Sequence, residues 1–71
     1  MSVVNQEVSG EVFRRKREEQ GLSVRDLENR TGVSRSTISN LETGKSLPDG
    51  ANLVRLMKFF NLSIEDIALS R

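Results

Sequence analysis

The amino-acid sequence predicts an all-α domain, and three observations support this prediction. Apolar residues recur at helical spacing, as Leu53, Leu56, Met57 and Phe60 do. Glycines and capping residues separate these stretches, and no alternation of apolar and polar residues typical of a strand is present. The chain has 71 residues, enough for one domain at most. We therefore expect a single compact helical domain.

The first helix is predicted over residues 7–20. It ends before Gly21, because a glycine just past the last turn adopts the left-handed conformation that closes a helix. The polar, unpatterned residues 1–6 are expected to form a flexible tail. The single domain is therefore expected over residues 7–71.

The next two helices are predicted from their caps. Ser23 and Asp26 have the spacing of a capping box, which starts a second helix over residues 24–31. Ser34 caps a third helix over residues 35–42 in the same way. Both helices are short, so their orientation depends on packing against the rest of the domain.

Two further helices follow a loop over residues 43–48. Asp49 is the expected cap of a fourth helix over residues 50–60. Ser63 starts a short fifth helix that is predicted to run to Leu69. The spacers between the helices are short, as in compact helical domains.

The composition excludes several classes of function. The chain has no Cys and no His, which removes disulfides, thiol nucleophiles, imidazole bases and the usual zinc sites. No phosphate-binding loop or nucleophile–base pair is present, so we expect neither an enzyme nor a bound cofactor or metal. No secretion signal and no membrane-spanning apolar run is found. We therefore expect a cytoplasmic protein that does not contact a membrane.

The charge distribution favours a polyanionic partner only locally. The formal net charge is +1. Residues 14–45 nevertheless carry eight basic and five acidic side chains. This local excess of three positive charges favours a nucleic-acid partner slightly, against the near-neutral net charge of the chain.

The most informative stretch is residues 22–42, in which two short helices are separated by a tight turn. Gly32 supplies the backbone freedom that the turn needs, and Val33 is placed to fill the angle between the helices. This arrangement is typical of a helix-turn-helix. The residues expected to hold both helices on the core are Leu27, Ile38 and Leu41.

The exposed face of the third helix carries side chains suited to reading bases. Arg35 has the geometry for a bidentate contact with guanine, and Asn40 for one with adenine. The hydroxyl groups of Ser36, Thr37 and Ser39 can bind base edges or phosphates. An ordinary solvated helix face is the alternative, which the residue types alone leave open.

These residues resemble the phage Cro and repressor type of helix-turn-helix, also called the xenobiotic-response-element type. The resemblance is carried by residues 17–23, 32–45, Pro48 and 62–66, and it covers roughly residues 12–67. It implies a compact five-helix, lambda-repressor-like domain that binds double-stranded DNA. The third helix of such a domain enters the major groove.

The resemblance also implies roles for individual residues. Base contacts fall to Arg35, Ser36 and Asn40, with Thr37 and Ser39 as further candidates. Phosphate contacts fall to Ser23, the backbone amide of Val24, Ser34, Thr43 and Lys45, since free amides at helix starts bind anions. A partly buried ion pair between Arg17 and Glu42 is implied as the link from the first helix to the third.

Two positions depart from the family pattern. A small residue is usual where this chain has Glu28, close to the helix crossing. We expect the Glu28 side chain to reach outward, or the crossing angle to shift. A glutamine is common where this chain has Val24, so only the backbone amide of Val24 remains for a DNA contact.

The leading functional prediction is a sequence-specific transcriptional regulator, a repressor that acts as a homodimer. One short recognition helix gives limited affinity, so such proteins read two half-sites about 34–36 Å apart. The apolar side chains expected at the dimer contact are Phe59, Ile64, Ile67, Ala68 and Leu69.

The alternative is a protein-interaction regulator of the same fold, of the antitoxin or restriction–modification controller type. Its partner protein would matter as much as DNA. The near-neutral net charge and the unusual Glu28 favour this alternative.

Overall fold

Five helices lie within the part of the chain that the structure describes, as the sequence predicted. The computed structural model describes the backbone of residues 3–4 and 6–69 and the side chains of residues 9–67. The helices are α1 (Gln6–Glu19), α2 (Val24–Thr31), α3 (Arg35–Glu42), α4 (Gly50–Phe60) and α5 (Ile64–Ile67). No helix in this part of the chain is both long and apolar enough to cross a membrane. The predicted all-α fold class is confirmed.

Local capping determines where the helices begin and end. The Ser23 hydroxyl accepts the backbone N–H of Asp26 at 3.0 Å, and the Asp26 carboxylate accepts the N–H of Ser23 at 2.9 Å. Ser34 and Asp49 cap α3 and α4 in the same sense. Gly32 closes α2 with φ of 78°, which only glycine adopts without strain. The predicted starts of α2, α3 and α4 are confirmed.

The two ends of the domain pair as short strands, which the sequence did not predict. Strand β1 (Val3–Val4) is antiparallel to β2 (Ala68–Leu69), with Val3 opposite Leu69 and Val4 opposite Ala68. The expectation that the fifth helix reaches Leu69 is therefore wrong, because α5 ends at Ile67. Strands of two residues are too short to leave an alternating pattern. Val3–Val4 also lies within the segment expected to be a flexible tail; the domain boundary at residue 7 stays a prediction.

One apolar core lies between the helices. The rings of Phe13 and Phe60 pack with their centroids 6.2 Å apart, and Phe59 meets Phe60 edge to face at 5.0 Å. Leu27, Ile38 and Leu41, which were expected to hold the helix-turn-helix, are buried as predicted. The remaining buried apolar residues are Val12, Val33, Leu56 and Ile67.

Helix α1 lies unusually close to α3 and α5. Gly10 faces the last turn of α3, where a Cβ atom would overlap the carbonyl oxygen of Leu41. The neighbouring Ser9 is fully buried, and its hydroxyl donates to the carbonyl oxygen of Ile67 at 3.0 Å. These two small residues let α1 support both α3 and the C-terminal part of the domain.

Candidate nucleic-acid interface

The turn between α2 and α3 is held by a compact set of contacts. The Thr31 hydroxyl donates to the carbonyl oxygen of Leu27 at 2.7 Å and accepts the N–H of Val33 at 3.2 Å. Val33 itself is completely buried. These contacts set the angle at which α3 leaves the turn.

The start of α3 is capped within its first turn. The Ser34 hydroxyl accepts the N–H of Thr37 at 3.2 Å, and the hydroxyl groups of Ser34 and Thr37 lie 2.9 Å apart. The expected phosphate contact at Ser34 would therefore share a hydroxyl group that already caps the helix. The Ser34 hydroxyl donates its proton to Thr37 Oγ1, so it would have to turn away from Thr37 to donate to a phosphate oxygen.

All five candidate base-contacting residues lie on α3, whose opposite face is buried through Ile38 and Leu41. Their exposure differs. The exposed ones are Arg35, Ser36 and Ser39, and the half-buried ones are Thr37 and Asn40.

The start of α2 combines a phosphate-binding geometry with a negative charge. Ser23 is exposed and Val24 lies at the first position of the helix, as the expected phosphate contacts require. The Asp26 carboxylate lies in the same turn. The backbone N–H and the hydroxyl of Ser23 hold the pKa of Asp26 below its ordinary value, so the carboxylate stays ionised. This charge weakens the attraction of the helix start for a phosphate.

Thr43 and Lys45 follow the end of α3 and differ in what they can offer a phosphate. The Thr43 hydroxyl donates back to the carbonyl oxygen of Ser39 at 2.9 Å. Its proton is therefore committed to the end of the helix. The Lys45 side chain is exposed and forms no ion pair among the described side chains, while its backbone N–H donates to the Asn40 carbonyl oxygen at 2.9 Å.

Arg17 and Glu42 form the ion pair that the resemblance implied. Arg17 Nε and Nη2 donate to the two Glu42 carboxylate oxygens at 2.7 and 2.9 Å, and Nη1 donates to the carbonyl oxygen of Leu22 at 2.7 Å. Only 13% of the Arg17 side chain and 7% of the Glu42 side chain are exposed. The hydrogen bonds with Glu42 raise the pKa of Arg17, against the opposing effect of burial. The pair ties α1 to the last turn of α3.

Glu28 reaches outward, across the turn, to the start of α3. Its Oε2 atom accepts the backbone N–H of Arg35 at 3.3 Å, and its Oε1 atom lies 3.2 Å from Arg35 Nε. Glu28 departs from the family pattern, but the sequence gives no indication of this partner. Seven residues and a turn separate the two, so helical spacing gives no signal for the contact.

The candidate dimer residues differ in how far their side chains are exposed to solvent. Ile64 is 50% exposed, and Phe59 is half-buried against Phe60. The assignment of Ile67 to a dimer surface is wrong, because Ile67 is wholly buried in the core of its own chain. Ala68 and Leu69 belong to β2, and their side chains lie outside the described residues.

A shallow cleft between α2 and α4 was not anticipated from the sequence. Its lining residues are Arg30, Thr31, Arg55, Lys58 and Phe59. The three cationic side chains form no ion pair with any described carboxylate. They are dispersed in the sequence and belong to two helices, so only the folded structure brings them together.

Comparison with known proteins identifies a family. A family model for the helix-turn-helix matches residues 13–67, well over half of the chain. No curated protein and no solved structure matches the chain. The matched segment contains α2, the turn and α3, together with both residues of the Arg17–Glu42 pair. The chain therefore belongs to the Cro/CI-like, xenobiotic-response-element type of helix-turn-helix family, a family of DNA-binding regulators.

Proposed function

We propose that the chain is a sequence-specific regulator that binds duplex DNA as a homodimer, with α3 in the major groove of each half-site. The observation that carries the proposal is the construction of α3. Its inner face is held by Ile38, Leu41 and the Arg17–Glu42 pair, while its outer face presents polar side chains to solvent. Base readout requires a helix whose inner face is held rigidly by the core and whose outer face carries polar side chains.

In this proposal the contacts divide into two kinds. Arg35 and Asn40 read bases, and a good bidentate contact contributes about 1–3 kcal/mol of discrimination. Ser36, Thr37 and Ser39 bind adjacent base edges or phosphates. Phosphate contacts at the ends of the helices, with Lys45 as the exposed cation, place the domain in register on the duplex.

The homodimer follows from the small size of the reading surface. Helix α3 has eight residues, so one copy contacts only a few base pairs. Two copies related by a twofold axis would read an inverted repeat with half-sites about 34–36 Å apart. We place the contact between copies at the exposed Ile64 and at the half-buried Phe59, and keep Ala68 and Leu69 as further candidates.

Repression is the simplest mode of action for such a dimer. A bound domain of this size acts by occupying its site, and occupancy blocks other proteins from the same duplex. Since duplex DNA is the proposed ligand, the cytoplasm is the proposed compartment.

The test is a selection on random duplex DNA with the full chain at moderate salt. We expect enrichment of an inverted repeat whose half-sites are one helical turn apart. The variant Arg35→Ala should relax the preference at one position per half-site. Arg14→Ala, which removes an exposed arginine of α1, is the matched control and should select the wild-type site. If no sequence is enriched, the proposal is wrong.

The cleft between α2 and α4 favours a second candidate, a regulator in which a partner protein, rather than a second copy of the chain, contacts Phe59. Arg30, Arg55 and Lys58 surround Phe59 and have no described carboxylate as a partner. The chemistry that fits this cleft is an acidic segment with an aromatic or aliphatic side chain, which would pair with the cations and cover Phe59.

A displayed library of acidic peptides tests this second candidate. Peptides that combine carboxylates with an aromatic residue should be retained by the wild-type chain and released by Lys58→Glu. The matched variant Lys45→Glu should retain them, because Lys45 lies beyond α3 and outside the cleft. Equal retention by both variants would contradict the assignment of the cleft.

A further inference from the structure

Glu28 makes two contacts with Arg35 across the helix-turn-helix. One carboxylate oxygen accepts the backbone N–H of Arg35 at 3.3 Å, and the other lies 3.2 Å from Nε. The Arg35 side chain remains 56% exposed and that of Glu28 34% exposed. The pair therefore lies at the edge of the surface that faces solvent, and it joins α2 to the start of α3.

The contacts leave the outer part of the Arg35 guanidinium available. The terminal nitrogens Nη1 and Nη2 have no hydrogen-bond partner among the described residues. Guanine presents two acceptors, O6 and N7, on its major-groove edge. A guanidinium whose Nε atom is ion-paired with Glu28 can meet both of them with its terminal N–H groups, since its five donors lie in one rigid plane.

We propose that Glu28 is a specificity-determining residue, which holds the Arg35 guanidinium in position for guanine and disfavours other contacts at that place. This inference rests on the proposed reading of DNA by α3. An unrestrained arginine binds a phosphate as readily as a base, and a phosphate contact carries no sequence information. The Glu28 carboxylate repels a phosphate at this position and occupies the backbone N–H of Arg35, which a phosphate would otherwise bind.

The same charge makes a wrong base unfavourable. When guanine is present, Arg35 bridges the base and the Glu28 carboxylate. At any other base pair the two acceptors are missing, and the carboxylate still faces the negatively charged groove. Discrimination thus comes from an attractive and a repulsive element together.

This role differs from that of an ordinary surface ion pair. Arg14 and Glu18 form such a pair within one turn of α1, 3.3 Å apart and more than half exposed on both sides. Exposed ion pairs of that kind contribute little to the stability of the fold. Glu28 instead joins two helices and contacts both the backbone N–H and the guanidinium of Arg35, so it constrains a side chain that we propose reads a base.

The test is a double-mutant cycle on the DNA sequence that the wild-type chain selects. Affinities are measured for wild type, Glu28→Gln, Arg35→Ala and the double variant, on the selected site and on a site whose guanine is replaced. Glu28→Gln should strengthen binding to unrelated duplex DNA and reduce the preference for guanine at that base pair by about five- to tenfold, within the range of one bidentate contact. In the Arg35→Ala background, Glu28→Gln should leave the preference at that base pair unchanged.

Glu18→Gln is the matched control, because it removes the same charge from the Arg14–Glu18 pair on α1. It should leave base preference unchanged. A selected site with no coupling between Glu28 and Arg35 overturns this inference alone. An equal loss of affinity on every sequence, accompanied by a lower melting temperature, assigns Glu28 a purely structural role and also overturns it. Failure to select any site overturns the proposed function, and this inference with it.

Discussion

The Arg17 side chain ties the last turn of α3 to α1. It makes three hydrogen bonds of 2.7–2.9 Å while almost completely buried. Arg17→Ala would leave the Glu42 carboxylate buried without its partner, which we expect to lower the free energy of unfolding by about 3 kcal/mol. Urea denaturation measures this change. Arg14→Ala, which breaks the exposed pair with Glu18, should lower the free energy of unfolding by less than about 1 kcal/mol. Equal losses for the two variants would contradict the locking role of Arg17.

Gly10 is required by space rather than by backbone conformation. A side chain at this position would overlap the carbonyl oxygen of Leu41, so Gly10→Ala must push α1 away from α3. We expect a loss of about 1–3 kcal/mol, as for other overpacked positions. Gly50→Ala is the matched control, because nothing lies within 4 Å of the position of its added methyl group. Thermal unfolding compares the two, and an unchanged melting temperature for Gly10→Ala would show that the helices move apart freely.

Residues whose role is local were predictable, and those whose role depends on packing were not. The caps at Ser23 and Ser34 follow from hydrogen bonds within one turn. The Ser9 hydroxyl bonds a carbonyl 58 residues away, at Ile67. The contact between Glu28 and Arg35 depends on the angle of the turn between their helices. No spacing rule detects either contact, since both exist only after the helices have met.

At the scale of the helix, the caps of α2 and α5 link stability to pH. Backbone N–H and hydroxyl groups of Ser23 and Ser63 hold the pKa values of Asp26 and Asp66 below their ordinary values. A carboxyl group whose pKa is lower in the folded than in the unfolded state stabilises the fold at pH values above its unfolded-state pKa. This stabilisation is lost as the pH falls through its folded-state pKa. The loss should therefore occur below about pH 4.

Urea midpoints at pH 7 and pH 3 check this prediction. The double variant Asp26→Asn, Asp66→Asn should be less stable than wild type at pH 7. Its midpoint should then change less between the two pH values, because both titrating caps are gone. Equal acid sensitivity of variant and wild type would mean that other carboxylates control the transition.

Helices were predicted better than strands for a physical reason. Each of α2, α3 and α4 has a cap and an apolar face that can be recognised within its own residues. The pairing of β1 with β2 joins the two ends of the domain, and neither strand has more than two residues. The pairing joins segments more than 60 residues apart in the sequence, so the sequence of either strand alone is uninformative.

At the scale of the whole molecule, the proposal fixes which side of the domain faces DNA. Lys45 lies just beyond α3, whereas Lys58 lines the cleft between α2 and α4. Lys45→Ala should reduce the slope of log affinity against log salt concentration by about one, as expected for the loss of one phosphate contact. Lys58→Ala should leave the slope unchanged. The opposite result would place the duplex along the cleft.

The family and the fold could be predicted because they depend on many weak signals that agree. The motif around the turn, the caps and the apolar spacing all indicate the same arrangement, and the match over residues 13–67 is consistent with them. The proposed contact between two copies could not be predicted in the same way. It depends on which apolar side chains remain exposed after folding, and the burial of Ile67 shows that hydrophobicity alone does not identify them.

The three hydrogen bonds of Arg17 also bear on how the domain moves. They join α1 to the carbonyl oxygen of Leu22, just before α2, and to the last turn of α3. A free eight-residue helix would open and close rapidly from its ends. Here the last turn of α3 can unfold only when its hydrogen bonds with Arg17 of α1 break. Local unfolding of α3 is therefore coupled to the separation of α1 from the core. In the proposed complex with DNA, α3 would therefore be ordered before binding, and little conformational entropy would remain to be lost.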